Sequence, residues 1–484
     1  MINLSKLLLG MFLKLLLLFI SLNSIDAEAQ NRNSVSINSN NGKTTISIEN
    51  GKKNSFSLEY EGEITLADDD KDIKAISRGG YVEIKKSAFG NRRRIFIEPG
   101  TNGQLIKKYY VGSREENFNS EGKKWLAEIL PEVVRSSTLG AEQRVDRFYK
   151  KGGAYAVVQE VKQMESDFVQ AAYLKLLLDK NPKTTDLPAI LKVVGEDIQS
   201  DHHQAQVLKY KTKAFLASDA STDAYIKAAG HINSDHHKAD VLKTSIRDGG
   251  ISSSQMKSLF AITENINSDH HKADVLLTVL KNRSLNNDNI DLLVATSRNI
   301  DSDHHKATVL RAALDAPGLS ESGYHNVLRS MSNLNSDHHA ASVLTDLLDK
   351  KLDKPSLTEL LELADQNINS DHHKARVLVK VIQKQSLDGA NLDALLTALK
   401  RMSSDAHQAN VFKQLANESF STDQLVKILD ATKSMSSDYH QASALLAFAS
   451  AVKAKGDVAK EAYRNACRGI SSETHYGKAL RGIE

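Results

Sequence analysis

The sequence is nearly free of cysteine, because Cys467 is the only one in 484 residues. A single cysteine cannot form a disulfide within its own chain, so stability must come from packing. Its setting in AYRNACRGI favours a small buried hydrophobic residue, with a reactive thiol as the alternative.

The chain also lacks an excess of charge of one sign. Its formal net charge is +3, and residues 121–484 contain 46 basic and 46 acidic side chains. Proteins that bind nucleic acids normally carry a concentrated basic face, so this balance gives no support to a nucleic-acid partner. Protein or peptide partners fit the helical part of the chain better than a polyanion.

Familiar catalytic motifs are missing as well. The sequence has no His-Glu-x-x-His, Gly-x-Ser-x-Gly, phosphate-binding Walker loop or dinucleotide fingerprint. Asp and His recur together, but no Ser or Cys nucleophile is singled out beside them. We therefore expect a protein that is not an enzyme and that needs no cofactor.

The first 29 residues predict an export signal. A positive start, MINLSK, precedes the apolar run LLLGMFLKLLLLFISL and the small-x-small site Ala27–Ala29. Lys14 interrupts the apolar run, which makes it a poor spanning helix, although an uncleaved anchor is the alternative. No cysteine lies near the cut, which argues against lipoprotein processing. The mature protein is expected to be exported, with a periplasmic, extracellular or cell-envelope location.

Residues 30–118 predict a small all-β domain. Alternating or β-branched runs such as TTISIEN, SFSLEYEGEITL and RRIFIEP are separated by turn sequences such as NNGK and PGTNG. Five to eight short strands in an antiparallel roll, sandwich or β-solenoid are expected. A basic cluster lies here, and we interpret it as a solvated hairpin, with an anionic partner such as a phosphorylated glycan or lipid as the alternative. The cluster contains Lys85, Lys86, Arg92, Arg93 and Arg94.

After Trp125 the apolar residues fall three and four apart, which predicts helices. Residues 119–165 are expected to form a helical cap or transition, and residues 166–484 an array of repeats. A Ser-Asp pair recurs every 34 residues, a period typical of solenoids. Its aspartates are Asp167, Asp201, Asp235, Asp269, Asp303, Asp337, Asp371 and Asp405, then Asp438 after 33 residues, with Glu473 in the same place 35 residues later.

Each repeat reads as helix, turn, helix, turn. The Ser is a natural N-cap, and the Asp falls in the first turn, where negative charge suits the helix dipole. On a helical wheel Asp269 shares a stripe with Ala273, Leu276 and Leu280, which places it at the edge of the core. We interpret the Asp as an architectural clasp that accepts hydrogen bonds from a helix start or from the neighbouring repeat.

Fifteen of the seventeen histidines lie in two adjacent columns directly after the Asp. The first column contains His202, His236, His270, His304, His338 and His372. The second contains His203, His237, His271, His305, His339, His373, His407, His440 and His475.

Adjacent residues on a helix project about 100° apart, so they are poorly placed to chelate one ion, and a third ligand is missing. We expect a structural ladder of hydrogen bonds from His to Asp or to backbone carbonyls. A surface stripe that contacts a ligand, responds to pH or binds metal is the alternative.

The 34-residue helical pairs resemble the α-solenoid class of HEAT-like and tetratricopeptide arrays. The tetratricopeptide pattern of Trp, Leu-Gly, Tyr and a late Pro is absent, so the resemblance favours the HEAT-like group. Residues 123–178 resemble exported or membrane-linked bacterial proteins in which SDY- or SDF-type repeats follow a small β domain. Some of those are attached to membrane metallopeptidases of the antibiotic-sensor type. The likeness covers most of residues 72–484, but the zinc-binding helix of those peptidases has no counterpart here. The β region is loosely similar to adhesin-like domains of bacterial envelope proteins.

Together these features predict a mainly α protein: a right-handed α-solenoid of about ten 34-residue helical pairs after a small all-β domain. The expected function is an exported scaffold that binds protein or peptide partners through its extended surface, with association with the cell envelope. The alternative is a periplasmic metal-binding or pH-responsive protein that uses the histidine ladder.

Overall fold

The computed structural model describes residues 33–40, 43–50, 54–282, 285–317 and 319–484. The predicted export signal, residues 1–29, lies outside these ranges. The chain divides into two compact units, one ending at Lys211 and one spanning Thr212–Glu484. In the described part of the chain, no helix has the length and apolar character needed to cross a bilayer.

The first unit begins with a seven-stranded antiparallel sheet in the order β1-β2-β3-β6-β7-β8-β9, and β4 and β5 form a separate hairpin. The strands are β1 (Asn33–Asn40), β2 (Lys43–Asn50), β3 (Asn54–Glu61), β4 (Ile64–Leu66), β5 (Ile73–Ile76), β6 (Tyr81–Ala88), β7 (Asn91–Pro99), β8 (Leu105–Val111) and β9 (Arg114–Glu116). The β region is therefore a meander of short strands, without the two large facing sheets of a sandwich.

A helix, rather than a second large sheet, covers the apolar face. Ile84 and Ile95 are neighbours on β6 and β7, and both are fully buried. Helix α1 (Lys123–Ser136) places Trp125 and Ile129, one turn apart, in the same core. Because successive strand residues point to opposite faces, only one face of the sheet needs this cover.

The remaining helices of the first unit are α2 (Ala141–Val161), α3 (Asp167–Asp179), α4 (Leu187–Glu196) and α5 (Asp201–Tyr210). Helix α2 is interrupted by Gly152 and by Gly153, whose φ of 63° and ψ of −155° are not helical. This backbone conformation is readily available only to glycine. The predicted helical transition, residues 119–165, thus contains two helices: α1 packs in the core of the β-sheet, and α2 is kinked.

A buried ionic network ties the β region to these helices. Arg144 is 1% exposed, and its guanidinium lies 2.9 Å from an Asp70 carboxylate oxygen and 2.6 Å from one of Glu160. Arg147 makes a second bond to Asp70, at 2.6 Å, and Arg135 one to Glu160, at 2.8 Å. Burial alone would raise the pKa of Glu160, but the hydrogen bonds from Arg135 and Arg144 hold it below its ordinary value.

The second unit is an α-solenoid of consecutive helical pairs. We call the helices that begin at the repeat acidic residue first helices and those between them second helices. The first helices are α8 (Asp235–Asp248), α10 (Asp269–Asn282), α12 (Asp303–Leu314), α14 (Asp337–Leu347), α16 (Asp371–Lys384), α18 (Asp405–Leu415), α20 (Asp438–Ala447) and α23 (Glu473–Arg481). The other helices are α6 (Thr212–Phe215), α7 (Asp219–Gly230), α9 (Ser253–Glu264), α11 (Asn287–Ser297), α13 (Glu321–Ser330), α15 (Lys354–Asn367), α17 (Gly389–Lys400), α19 (Thr422–Ala431), α21 (Ala449–Lys455) and α22 (Asp457–Cys467).

First helices pack on the first helices of neighbouring repeats, and second helices pack on second helices. In α10 the buried residues include Val275, Leu276 and Val279, whereas Leu280 is partly exposed. The core stripe is therefore shifted from the one drawn on the helical wheel. Cys467 is fully buried in α22, and burial raises the pKa of its thiol to about 11. That thiol is packed as a small apolar group.

Candidate functional site

The repeat Asp joins each repeat to the next through backbone hydrogen bonds. Asp269 accepts from the N–H of Asp301 at 3.1 Å and from the N–H of Ser302 at 2.7 Å. Within the first unit, Asp167 does the same toward Gln199 and Ser200. The same paired bonds are made by Asp235, Asp303, Asp337, Asp371 and Asp438.

The serine before each Asp completes the joint. The hydroxyl of Ser302 accepts from the N–H of His305 at 3.5 Å and so caps α12, while its own N–H is held by Asp269. The Ser side chain therefore caps its own helix, while the Ser backbone N–H donates to the Asp of the preceding repeat. At Asp405, where the repeat is one residue shorter, Ser437 donates the one clasp hydrogen bond that the described residues show.

The two histidine columns form one continuous row of rings in the second unit, in which neighbouring rings contact each other edge to face or tilted. His270 contacts His271 in its own helix, with ring centroids 5.2 Å apart, and His305 in the next, at 5.5 Å. The same alternation links eleven imidazoles in a zigzag, with adjacent centroids 5.1–5.7 Å apart. Its members, in contact order, are His237, His236, His271, His270, His305, His304, His339, His338, His373, His372 and His407. We call this row the imidazole ladder.

The ladder stops where the first column loses its ring, at Ala406. One repeat later Tyr439 takes that position and contacts His440 and His475, with centroids 5.1 and 5.8 Å apart. In the first unit, Asp201 begins α5 and is followed by His202 and His203, whose ring centroids are 5.2 Å apart.

The two columns differ in exposure. The first-column ring of His270 is 63% exposed, whereas the second-column rings are half-buried. The Nδ1 atoms of His203, His271 and His373 are buried without a hydrogen-bond partner. The contacts along the columns are thus between rings, whereas the sequence predicted hydrogen bonds to Asp or to carbonyls. In the described ranges, no three His, Cys, Asp or Glu side chains converge as a metal site.

Burial and neighbouring imidazoles disfavour the charged form of three second-column rings in the second unit, those of His271, His339 and His373. Burial is the main cause that lowers the pKa of His271 below 6.5, and His270 and His236 lower it further. His339 shows the same pattern. Burial likewise lowers the pKa of His373, where Arg376 adds to the effect. A ladder of neutral rings is the form that suits this packing.

The sequence shows a third column, directly after the histidines, but the role of this column was not predicted. In eight repeats it holds a long, almost fully buried side chain with an N–H donor, whereas two repeats have Ala340 and Tyr476 there. The eight are Gln170, Gln204, Lys238, Lys272, Lys306, Lys374, Gln408 and Gln441. Lys272 Nζ donates to the carbonyl of Asn299 at 2.7 Å, and Gln408 Nε2 donates to that of Met402 at 2.5 Å. These donors satisfy carbonyls just beyond second helices. The alternation of Lys with Gln was the sequence signal for this role, because the two side chains share only a long stem and an N–H donor.

A fourth column lies one turn after the first histidine column, on the same face of each first helix. Its chemistry changes along the array: Asp240 and Asp274 are acidic, Thr308 and Ser342 neutral, and Arg376 basic. Each side chain is partly or fully exposed. A hollow of about 270 Å³ adjoins Asp274, lined also by Lys243, Arg247 and Lys281.

Comparisons with known proteins add little. No protein-family model matches this chain, and no curated protein matches it. Among solved structures, the crystal structure of Ton1535 from Thermococcus onnurineus NA1 aligns with 71% of this chain and 98% of its own, at 15% identity and a TM-score of 0.18. At this TM-score the likeness supports no conclusion about the chain.

Proposed function

We propose that the protein is an exported, non-enzymatic scaffold that binds an extended peptide or protein segment along its first helices. The binding surface consists of the imidazole ladder and the fourth column beside it. The observation that carries the proposal is a single row of rings that runs through consecutive repeats and whose first-column members are exposed. Solenoids commonly bind partners along such extended surfaces.

The side chains of this surface suit a peptide. Exposed imidazole edges offer donors and acceptors at regular intervals, and flat rings offer packing area with little loss of side-chain entropy. Neighbouring repeats are expected to lie about 8–10 Å apart. Three residues of an extended chain, at roughly 3.3 Å each, span that distance. Every third side chain of the peptide would then contact a successive repeat.

The fourth column gives the surface a direction. Asp274 lies 4.0 Å from the His270 ring nitrogen and 3.1 Å from Lys243 Nζ, and Arg376 contacts Ser342, a residue of the same column, at 3.3 Å. Complementary charges across an interface fix register and orientation. We infer that a bound segment places its basic end near Asp274 and its acidic end near Arg376.

Peptide display on the purified chain, followed by fluorescence anisotropy with the selected peptides, tests this. The double variant Asp274→Lys with Arg376→Glu reverses the gradient, and we expect it to weaken the selected peptides at least tenfold and to favour the opposite charge order. The matched control, Lys257→Glu with Glu362→Lys, swaps exposed charges on second helices. No selected peptides, or equal losses in both variants, would rule the proposal out.

A pH-responsive role is the second candidate, and the lowered pKa values of His271, His339 and His373 favour it. Acidification forces charge onto rings that are packed against one another and that lie at the N-terminal, positive ends of helices. Two unit charges about 5.5 Å apart repel by roughly 3 kcal/mol at an effective dielectric constant of 20, and by less where water reaches them. The ladder would therefore loosen as the pH falls.

A further inference from the structure

The hairpin between β6 and β7 has an unusual tip. Ala88 pairs with Asn91, so Phe89 and Gly90 alone form the loop. Both have positive φ, 50° and 90°, as a type I′ turn requires. Such turns favour Asn-Gly, and a bulky residue at positive φ is a genuine outlier that invites a functional explanation.

This strained turn holds an aromatic ring out in solvent. Phe89 is 79% exposed, more than any other large hydrophobic side chain in the described ranges. Its ring makes no contribution to the sheet core, which lies on the buried face around Ile84 and Ile95. A fold-stabilising role therefore does not account for the residue.

Cationic side chains flank the tip on both strands. Lys85, Lys86, Arg92, Arg93 and Arg94 lie within five residues of Phe89. Four of them line, with Ser57 and Ser87, a hollow of about 590 Å³ on the sheet: Lys85, Lys86, Arg92 and Arg94. Serine hydroxyls and cationic nitrogens in one cavity suit a phosphate ester.

The cluster has more cations than nearby carboxylates. Glu83 pairs with both Lys85 and Arg94, and Glu132 pairs with Lys86 at 2.6 Å. Among the described residues, no carboxylate lies within 4 Å of the Arg92 or Arg93 guanidinium. Two further acidic residues lie on this face: Glu59, which pairs with Lys43 at 2.8 Å, and Glu115, which lies on the far side of Tyr110. The net local charge is therefore positive although the whole chain is nearly neutral.

We propose that this hairpin tip binds the surface of an anionic lipid bilayer. Phe89 inserts at the boundary between headgroups and acyl chains, and the cationic hollow receives headgroup phosphates. Stable association with a bilayer takes two signals, such as an apolar anchor and a basic patch, and the tip supplies both. A soluble phosphorylated glycan would use the cations but leave Phe89 without a partner. A nucleic acid normally requires a wider basic face.

Vesicle co-sedimentation of the full chain tests the proposal, with phosphatidylcholine alone and with phosphatidylcholine mixed with phosphatidylglycerol. Binding by residues 1–29, which combine an apolar run with Lys6 and Lys14, is common to all variants. The readout is therefore the change that each variant makes in the gain caused by phosphatidylglycerol, a gain that we expect to decrease as salt is added. No gain in the natural chain overturns the proposal.

Charge reversal provides the first comparison. The double variant Arg92→Glu with Arg93→Glu should reduce the gain more than tenfold, since each basic residue near an anionic surface is worth about fivefold in affinity. The control Arg78→Glu reverses one charge in an exposed turn at the opposite end of β6 and should leave the gain unchanged, whereas Arg92→Glu alone should reduce it about fivefold. Equal effects of these two single variants contradict the proposal.

Changes at Phe89 separate binding from folding. Asn tolerates positive φ, so Phe89→Asn should keep or raise the melting temperature while it lowers the affinity for anionic vesicles roughly three- to tenfold. Val458→Asn, at another exposed apolar residue, should leave that affinity unchanged. Undiminished vesicle binding by Phe89→Asn overturns the insertion of this ring.

Fluorescence distinguishes lipid from other anions. The chain has one tryptophan, Trp125, which is buried, so Phe89→Trp adds the only exposed indole. Its emission should shift to the blue with anionic vesicles but not with inorganic phosphate, a phosphorylated polysaccharide or DNA. An equal shift with any of these soluble anions would exclude the bilayer as the preferred partner.

Discussion

Asp303 Oδ2 accepts a hydrogen bond of 2.7 Å from the backbone N–H of Ser336, 33 residues further along the chain. The N–H of Asn335 donates to the same oxygen at 3.1 Å. Asp303→Ala removes the acceptor of both donors, one of them partly buried, and should lower the free energy of unfolding by about 1–3 kcal/mol. Urea unfolding followed by circular dichroism measures the loss.

The neighbouring Asp301 is exposed, and its carboxylate makes no clasp bond among the described residues. Asp301→Ala should therefore change stability by less than about 0.5 kcal/mol. A loss that small for Asp303→Ala would show that the clasp is not stabilising. Because the array is held by neighbour contacts, the Asp303 variant should also unfold with a smaller denaturant slope.

Stability should decrease on acidification. The pKa values of His271, His339 and His373 are lowered in the folded state, while the unfolded value is near 6.5. The unfolded chain then binds more protons, so this stability is present above about pH 6.5. It is lost as the pH falls from there through the folded-state pKa values. Unfolding midpoints measured between about pH 7.5 and 5 should follow this course.

Replacing those three histidines together by Phe keeps a ring at each place but removes its titration. The midpoint of that variant should vary less over the same pH range. His231→Gln, at an exposed histidine outside both columns, should leave the pH dependence of the natural chain unchanged. If the unfolding midpoint of the natural chain did not change with pH, the imidazole ladder would not be a source of pH sensitivity.

The third column, with its buried Lys and Gln side chains, should tolerate the exchange of Lys for Gln. Lys272→Met removes the donor to the Asn299 carbonyl and should cost about 1 kcal/mol of unfolding free energy. Lys272→Gln keeps an N–H on a long stem and should cost less than about 0.5 kcal/mol. Chemical denaturation distinguishes the two. Equal costs would mean that the stem, and not the donor, is what the position requires.

Arg144→Met should be the most destabilising single change among these. It leaves the carboxylates of Asp70 and Glu160 without one of their charged partners in a buried setting, and such losses cost about 3–5 kcal/mol. Arg147→Met removes a more exposed partner of Asp70 and should cost less. Thermal unfolding of both variants provides the measurement, and a larger loss for Arg147→Met would contradict the assigned order.

The helical pairs and the place of the Asp could be predicted from the 34-residue period, because a capped helix start and a stripe of apolar residues are local signals. The hydrogen-bond donors to each Asp, in contrast, come from the next repeat: Asp269 accepts from the backbone N–H groups of Asp301 and Ser302. The contact between His270 and His305 depends on how far one helix is shifted along its neighbour. Sequence spacing within one helix carries no information on that shift, so the ladder of rings was missed.

The β region shows a similar limit. Its strands follow from alternation, but the cover supplied by α1 depends on tertiary packing between segments that are separate in sequence. The exposed Phe89 could have been noticed in the turn sequence AFGN, where Asn-Gly is the usual choice. Its exposure became clear only from the pairing of Ala88 with Asn91.

The clasp between repeats has a consequence for how such a gene can change. Within the second unit each repeat Asp bonds to the backbone of a Ser that is itself followed by the next repeat acidic residue, and all of these joints but the one at Asp405 have two such bonds. Loss or duplication of one whole repeat by unequal recombination recreates the same joint at the new boundary. A change of another length has unequal effects: the repeat that is one residue shorter keeps a single clasp bond, between Asp405 and Ser437, whereas the one-residue insertion before Glu473 leaves both bonds of Asp438 in place. Natural variants of this chain should therefore differ in length mainly by multiples of one repeat, with single-residue differences between them.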